Sequence, residues 1–383
     1  MVKYPDDWKS YKLGDLGDVR MCKRIFASQT AKSGEIPFYK IGTFGGKADA
    51  YIPRALYEEY KNRFSFPKAG DTLLSAAGTI GRTVVYDGKD AYFQDSNIVW
   101  LEVSEENVYK PFLKYFFESY PWVNLEGTTI SRLYNGLIRS TPIALPDISE
   151  QRSIAEALTS MDTHIANLTE LIEKKKAIRD GALEALVSGR TQLEGQTISW
   201  VDTELGELAT YRKGNGSGTK DHYISTENIN QGFSDIQRYS TKDAVEGCVF
   251  YENDTLIANI RPYLRKVWYA EFSGICSLDV LALQPKSAID TKYLYYLVAN
   301  DRFINYVMNG GVKGIKMPRG DKKFMLKYSV RIPSEKAVQT ELAQMITSMD
   351  NEVASLEEER DKIQQIKAGM IDDLLTGRVR LIG

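Results

Sequence analysis

The chain has 383 residues, 43% of them hydrophobic and 26% charged, which suits two folded domains with connectors better than one core. A formal net charge of −2 argues against a protein that coats nucleic acid indiscriminately, while leaving room for local basic patches. No stretch approaches the length of a membrane span, and Cys22, Cys248 and Cys276 form no CxxC pair, so the expectation is a reducing cytoplasm without membrane attachment.

In chain order, the first module opens on "WKSYKLGDL" (Trp8–Leu16). Short strands are predicted over Thr72–Ala76, Thr83–Tyr86 and Asn97–Val103, then a helix over Phe112–Ser119. A long helix follows, inside "LPDISEQRSIAEALTSMDTHIANLTELIEKKKAIRDGALEALVSGRTQL" (Leu145–Leu193). Its Ile154, Leu158, Met161, Ile165, Leu168 and Ile172 alternate steps of four and three, the period of a coiled-coil seam. Lys175 interrupts the stripe, Ile178, Ala182 and Leu186 resume it, and Ser188-Gly189 stops the helix.

The plan is then written a second time. "WVDTELGEL" (Trp200–Leu208) answers the opening phrase, "NDTLIAN" (Asn253–Asn259) answers "GDTLLSA" (Gly70–Ala76), and "YLYYLVAN" (Tyr293–Asn300) answers "FLKYFFES" (Phe112–Ser119). Strands are predicted over Thr255–Ile260, Lys266–Tyr269 and Val280–Leu283, and a helix over Tyr293–Ala299. In the second long helix, Leu342, Ile346, Met349, Val353 and Leu356 each fall 188 positions after a counterpart, as do the aspartates of the shared TSMD phrase (350 − 162). Arg360 interrupts this stripe, Ile363, Ile366, Met370 and Leu374 resume it, and Thr376-Gly377 ends it. The organisation is therefore module 1 (residues 1–146), long helix (147–190), module 2 (191–331) and long helix (332–383), a cyclic repeat of α+β modules on rods of about 60 Å.

Enzymatic signatures are missing from the sequence. Its two histidines, His164 and His222, form no HExxH pair, and there is no GxxxxGK[ST] loop, no GxSxG elbow and no adenine-methyltransferase [DNS]PP[YFW] run. No catalytic residue and no metal site is expected in this chain.

Signals for nucleic-acid contact are concentrated in module 2. "GVKGIKMPRGDKKFMLKYSVR" (Gly311–Arg331) gathers Lys313, Lys316, Arg319, Lys322 and Lys323 around a loop, with Asp321 beside Arg319. Such cations can converge on phosphates, while Arg can read guanine and Asp can accept from cytosine. A solvated basic loop is the bland alternative. "ANIRPYLRKVW" (Ala258–Trp268) offers Asn259, Arg261, Tyr263, Arg265 and Lys266 around a Pro-Tyr turn, which also reads as a rigid packed turn. Module 1 offers Gly78, Thr79 and Arg82 in "SAAGTIGRT" and Thr128, Thr129 and Arg132 in "GTTISRLYNG", residue types that fit loop capping as well as DNA contact.

In this order and duplication, the chain resembles the specificity (S) subunit of Type I restriction–modification enzymes along nearly all of its length. The residues that carry the likeness are "LP-x3-EQ-x2-IA" at Leu145–Ala155, the TSMD and "GR(V/T)(R/Q)L" features of both helices, "GDTLLSAAGTIGR", "NIRPYLRKVW" and "MPRGDKKF". The second helix starts differently, on "IPSEKAVQTELA". The resemblance implies two target recognition domains separated by two long helices in an antiparallel coiled coil with pseudo-twofold symmetry. It also implies a split, asymmetric double-stranded DNA target. Two methyltransferase subunits using S-adenosylmethionine, and motor-nuclease subunits using ATP and Mg, would carry the catalysis. A two-headed coiled-coil scaffold that binds no DNA is the rival reading.

Overall fold

In the computed structural model, residues 4–122, 132–191, 197–218, 222–233, 235–237, 245–310 and 318–381 are described. The first module contains β1 (Lys9–Lys12), the one-turn helix α1 (Leu13–Leu16), β2 (Gly17–Arg20), β3 (Ile36–Tyr39), β4 (Ala50–Ile52), α2 (Arg54–Arg63), β5 (Thr72–Ser75), β6 (Thr83–Val85), β7 (Tyr92–Phe93), β8 (Ile98–Val103), α3 (Lys110–Ser119), α4 (Asn135–Ser140) and β9 (Pro142–Leu145). The chain then enters α5 (Ile148–Val187). β1 pairs with β9, an antiparallel sheet runs β2-β8-β5-β6, and a second sheet runs β4-β3-β7 with β3 and β7 parallel.

The second module repeats this with β10 (Trp200–Glu204), α6 (Leu205–Leu208), β11 (Ala209–Tyr211), β12 (Asn215–Gly218), β13 (Tyr223–Ile224), β14 (Val245–Phe250), β15 (Thr255–Ala258), β16 (Val267–Tyr269), β17 (Gly274–Cys276), β18 (Val280–Pro285), α7 (Thr291–Val298), α8 (Asp301–Gly310), α9 (Lys322–Leu326) and β19 (Ser329–Pro333). α10 (Lys336–Leu375) follows. β10 pairs with β19, and β11-β18-β15-β16 reproduces the first module's four-stranded sheet strand for strand. The other sheet diverges: β13 and β17 keep the parallel pairing, but two further strands give the order β12-β14-β17-β13.

The answering phrases "TLLS" and "TLIA" are buried along their whole length, because the central strand of the four-stranded sheet is covered on both faces. Successive residues point to opposite faces. Leu74 joins the core made with α3 and the start of α5 (Phe112, Tyr115, Ile154, Leu158), while Leu73 joins the core under the second sheet (Ile36, Phe38, Tyr92). In module 2, Ile257 and Leu256 divide in the same way.

The chain forms two units by internal contact, Met1–Leu168 with Glu359–Gly383, and Thr169–Glu358, so each unit holds one module and parts of both long helices. Within each unit the helix segments run antiparallel. Asp162 meets Lys367 in the first; Lys175 pairs with Glu352 at 2.6 Å and Lys176 with Glu357 at 2.8 Å in the second. Much of the predicted seam is buried, including Ile154, Leu158, Leu168 and Ile172 on α5 and Leu342, Ile346 and Val353 on α10. Its continuation is buried only in part: Ile178 and Ile366, equivalent positions, are 59% and 45% exposed, whereas the expected Leu186 and Leu374 are buried, with Leu183, Val187 and Leu375 beside them, where the helix ends pack on the modules.

The duplicated TSMD phrase is the joint between module and helix. The Tyr115 hydroxyl donates to Asp162 Oδ2 at 2.7 Å and lies 3.1 Å from Thr159 Oγ1; the Tyr296 hydroxyl donates to Asp350 Oδ2 at 2.7 Å and lies 3.0 Å from Thr347 Oγ1. A cation from the other long helix approaches each aspartate, Lys367 for Asp162 and Arg179, at 3.6 Å, for Asp350. Those cations are themselves 188 positions apart (367 − 179). A second joint lies at the helix starts. Gln151 accepts from Tyr109 N and donates to the carbonyls of Asn107 and Pro146, and Gln339 accepts from Asp290 N and donates to Ala288 and Pro333.

The differing helix start thus keeps its glutamine and replaces Glu150 by Val338. In the first unit Glu150 is buried and takes a two-pronged pair from Arg380, at 2.6 and 2.7 Å, which also forks onto Asp7. By the same sequence correspondence Arg380 is answered by Gln192, which lies outside the described residues.

Candidate nucleic-acid interface

Three connections meet at one tip of module 2. Asn259, just past β15, donates its amide to Asp279 O at 2.8 Å, and its carbonyl accepts from Gly320 N at 3.1 Å. Arg261 N reaches Pro318 O at 2.9 Å, and Ile260 forms an isolated bridge with Arg319. The β15–β16 turn, the β17–β18 turn and the segment before α9 are therefore one assembly. Arg261 and Arg265 flank its 3-10 turn (Pro262–Leu264) with φ of +51° and +55°, an uncommon conformation for residues with a Cβ. Hydrogen bonds from Arg265 N to Pro262 O and from Phe233 N to Arg265 O hold it.

This assembly sorts the residues singled out from sequence. Asn259 is buried and joins the loops through its backbone. Arg265 is committed to Asp301 by two bonds of 2.5 and 3.0 Å, and Lys266 Nζ donates to Thr226 O at 2.7 Å. Asp321 caps α9, accepting from the amides of Lys323 and Phe324; those two N–H groups hold its carboxyl below the usual carboxylate range. Left outward are Arg261 and Tyr263, Arg319, and Lys322 and Lys323, the last two without an ion-pair partner among the described residues. Arg319 is 64% exposed, with Nη2 3.0 Å from Asp279 Oδ1. Lys313 and Lys316 lie outside the described residues.

Module 1 builds the same tip from other residues. Ala76 N donates to Asn97 O at 2.7 Å, Leu133 N to Ala76 O at 2.7 Å, and Ala77 bridges Arg132. Gly78 and Gly81 turn the β5–β6 connection at φ of +64° and +86°, where a side chain would be strained. Ser75 Oγ spans this turn, donating to Thr79 O and accepting from Arg82 N. Gly78 and Thr79 stand exposed at its apex. Arg82 Nη1 donates to Phe44 O at 2.8 Å, and Arg132 Nη2 donates to Ser96 O at 2.7 Å. Thr128 and Thr129 lie outside the described residues.

Two exposed residues at these tips escaped the sequence reading. Leu278 is 75% exposed beside Asp279, and Tyr134 is 67% exposed two positions after Arg132. An isolated exposed Leu or Tyr carries no sequence signal; only the neighbouring arginine marks it. The two histidines lie elsewhere: His164 Nε2 is 3.8 Å from Glu359 across the first unit's helix pair, and the His222 ring lies against Phe272. Among the described residues no cluster of His, Cys, Asp and Glu could hold a metal, and no helix is long and apolar enough to cross a membrane.

The family model for the Type I restriction modification DNA specificity domain matches residues 5–177 and again residues 198–368, so the chain belongs to that family and carries the domain in tandem. A type I restriction enzyme specificity subunit of Haemophilus influenzae is 52% identical over 162 residues; the match spans 42% of either chain, less than half of that relative. The EcoDI specificity subunit of Escherichia coli is 23% identical over 373 residues, 86% of this chain and 79% of the other. Among solved structures, the S subunit of the type I restriction-modification system from M. genitalium matches over 97% of both chains with a TM-score of 0.63 at 16% identity, a likeness of fold. The chain's role is that of a specificity subunit, the non-catalytic component of a type I restriction–modification system.

Proposed function

We propose that this chain selects a split, asymmetric double-stranded DNA target, each module reading one half-site, and assembles two methyltransferase subunits and the motor-nuclease subunits. Catalysis, with S-adenosylmethionine, ATP and Mg, belongs to those partners. The observation that carries the reading is the pair of equivalent loop tips, built on the same backbone hydrogen bonds but furnished with different outward side chains. A shared frame with divergent furniture is what two readers of unlike sequence require. Arg261, Arg319, Lys322 and Lys323 supply cations for phosphate and base edges in one half-site, and the Gly78–Arg82 turn with Arg132 supplies contacts in the other.

The test is selection. The chain, co-purified with its methyltransferase, is mixed with a pool of random duplexes and the bound fraction is sequenced. The expected product is one motif of two short unlike blocks separated by unspecified bases. A bound fraction indistinguishable from the input pool would end the DNA reading and favour a scaffold that grips protein.

A further inference from the structure

The two tips each carry two basic side chains in matching places, and the structure treats the two places differently. The first place follows the turn. Ser75 N bonds Arg82 O and Ala258 N bonds Lys266 O, both at 2.9 Å, so Arg82 and Lys266 correspond. Both are tied to main-chain carbonyls of a neighbouring loop, Arg82 to Phe44 O and Lys266 to Thr226 O. These cations hold the turn in place.

The second place is the bridge residue. Arg132 and Arg319, 187 positions apart (319 − 132), pair with Ala77 and Ile260 just beyond corresponding strands. Each guanidinium is fixed by one Nη2 contact to the same turn of its module, Ser96 O in the first and the Asp279 carboxylate in the second. Neither Nε nor Nη1 of either arginine has a partner among the described residues. Nη2 carries one N–H on each edge of the guanidinium, so a single Nη2 contact leaves one whole two-donor edge free, Nε or Nη1 beside the second Nη2 N–H, on an arginine that has already lost much of the freedom binding would cost it. Two parallel donors match the O6 and N7 acceptors of guanine in the major groove.

We infer that Arg132 and Arg319 are the guanine-reading residues of the two half-sites, with Ser96 and Asp279 positioning their guanidinium groups. This rests on the proposed DNA reading and adds its chemistry: each half-site contains at least one G·C pair, and one such pair in each is read by the bridge arginine. Arg265, whose Nε/Nη2 edge is taken by the Asp301 carboxylate, and Arg82 and Lys266, which tie the turn to a neighbouring loop instead of occupying the bridge position, are not assigned as readers.

The experiment is base-resolution methylation sequencing of cells carrying the wild-type chain, Arg132→Ala, Arg319→Ala, Arg132→Lys or Arg319→Lys, each with the native partner subunits. Each alanine variant is expected to relax one guanine position in its own half-site by roughly 5- to 150-fold in preference, the span of about 1–3 kcal/mol, leaving the other half-site unchanged. The intact half-site reports that the variant is folded. Where an alanine variant abolishes all methylation, its lysine partner decides, since lysine keeps the charge and loses the paired donors. A lysine variant that relaxes one guanine supports the inference, and one that leaves the motif unchanged overturns it. Asp279→Ala should relax the same position as Arg319→Ala, and Asp279→Asn should restore part of the preference. Equal weakening at every sequence would make these arginines phosphate contacts and overturn the inference. So would a wild-type half-site lacking any G·C pair, which leaves the DNA reading standing. A wild-type chain that directs no methylation at all fails the DNA reading itself.

Discussion

Removing the Tyr296 hydroxyl tests the joint that the TSMD phrase builds. Tyr296 is 2% exposed, and its hydroxyl bonds Asp350 Oδ2 at 2.7 Å and Thr347 Oγ1 at 3.0 Å. A hydrogen bond to a charged acceptor contributes about 1.5–3 kcal/mol net. The Asp350 side chain is 37% exposed, so water regains part of the acceptor and the lower end applies, about 1.5 kcal/mol. Tyr296→Phe keeps the ring and its packing. Native-state hydrogen exchange of the buried α7 amides, Leu294–Val298, should therefore quicken by roughly tenfold. Asp350→Asn added to Tyr296→Phe should cost little more, because the bond it weakens is already gone. Tyr115→Phe should cost less than Tyr296→Phe, since Asp162 keeps Lys114 at 3.0 Å as well as Lys367, whereas Asp350 keeps Arg179 at 3.6 Å, a cation it shares with Asp180. Unchanged exchange in Tyr296→Phe, or fully additive effects of the two substitutions, would refute the joint.

Replacing Lys322 and Lys323 together should weaken binding to all duplexes alike and reduce the slope of affinity against salt by about two, measured by titration at several salt concentrations; an unchanged slope removes them from the phosphate contacts. The depressed carboxyl of Asp321 makes the α9 cap fully effective above its unfolded-state value and lost as pH falls through the lower folded-state value. The Lys323 and Phe324 amide resonances should shift in that acid window, and Asp321→Asn should abolish the titration. Arg380→Gln leaves the buried Glu150 without its two-pronged partner and should lower Tm, whereas Glu150→Val with Arg380→Gln, the residue types that the sequence carries at the corresponding positions 338 and 192, should recover most of the loss. A double variant no better than Arg380→Gln would show that the two positions do not compensate.

Much of the frame was legible because it is written twice. The strands around Thr72, Thr83 and Asn97, their counterparts, and both long helices appear within a few residues of where patterning puts them. The bond that the TSMD aspartate receives from its module was not legible, since a TSMD phrase on a helix surface does not announce a tyrosine 47 or 54 residues upstream. The correspondence of Arg132 with Arg319 was hidden by drift: the strands before them are 183 positions apart and the helices after them 188, so no single offset aligns the tips. Gln339 was missed for a similar reason, a one-residue insertion after Pro333. Asn259 looked available because its neighbours are basic and polar, yet it sits where three loops close over it. The commitments of Arg265, Lys266 and Arg82 depend on partners tens of residues away, which no local pattern contains.

The central claim is that this chain chooses the sequence its partners modify. Base-resolution sequencing of adenine methylation in the source genome, with the gene intact and deleted, tests it most directly. The account predicts that one split, asymmetric motif loses N6-methyladenine on deletion and regains it when the gene is restored. An unchanged methylome, in cells that express an active partner methyltransferase, would contradict it.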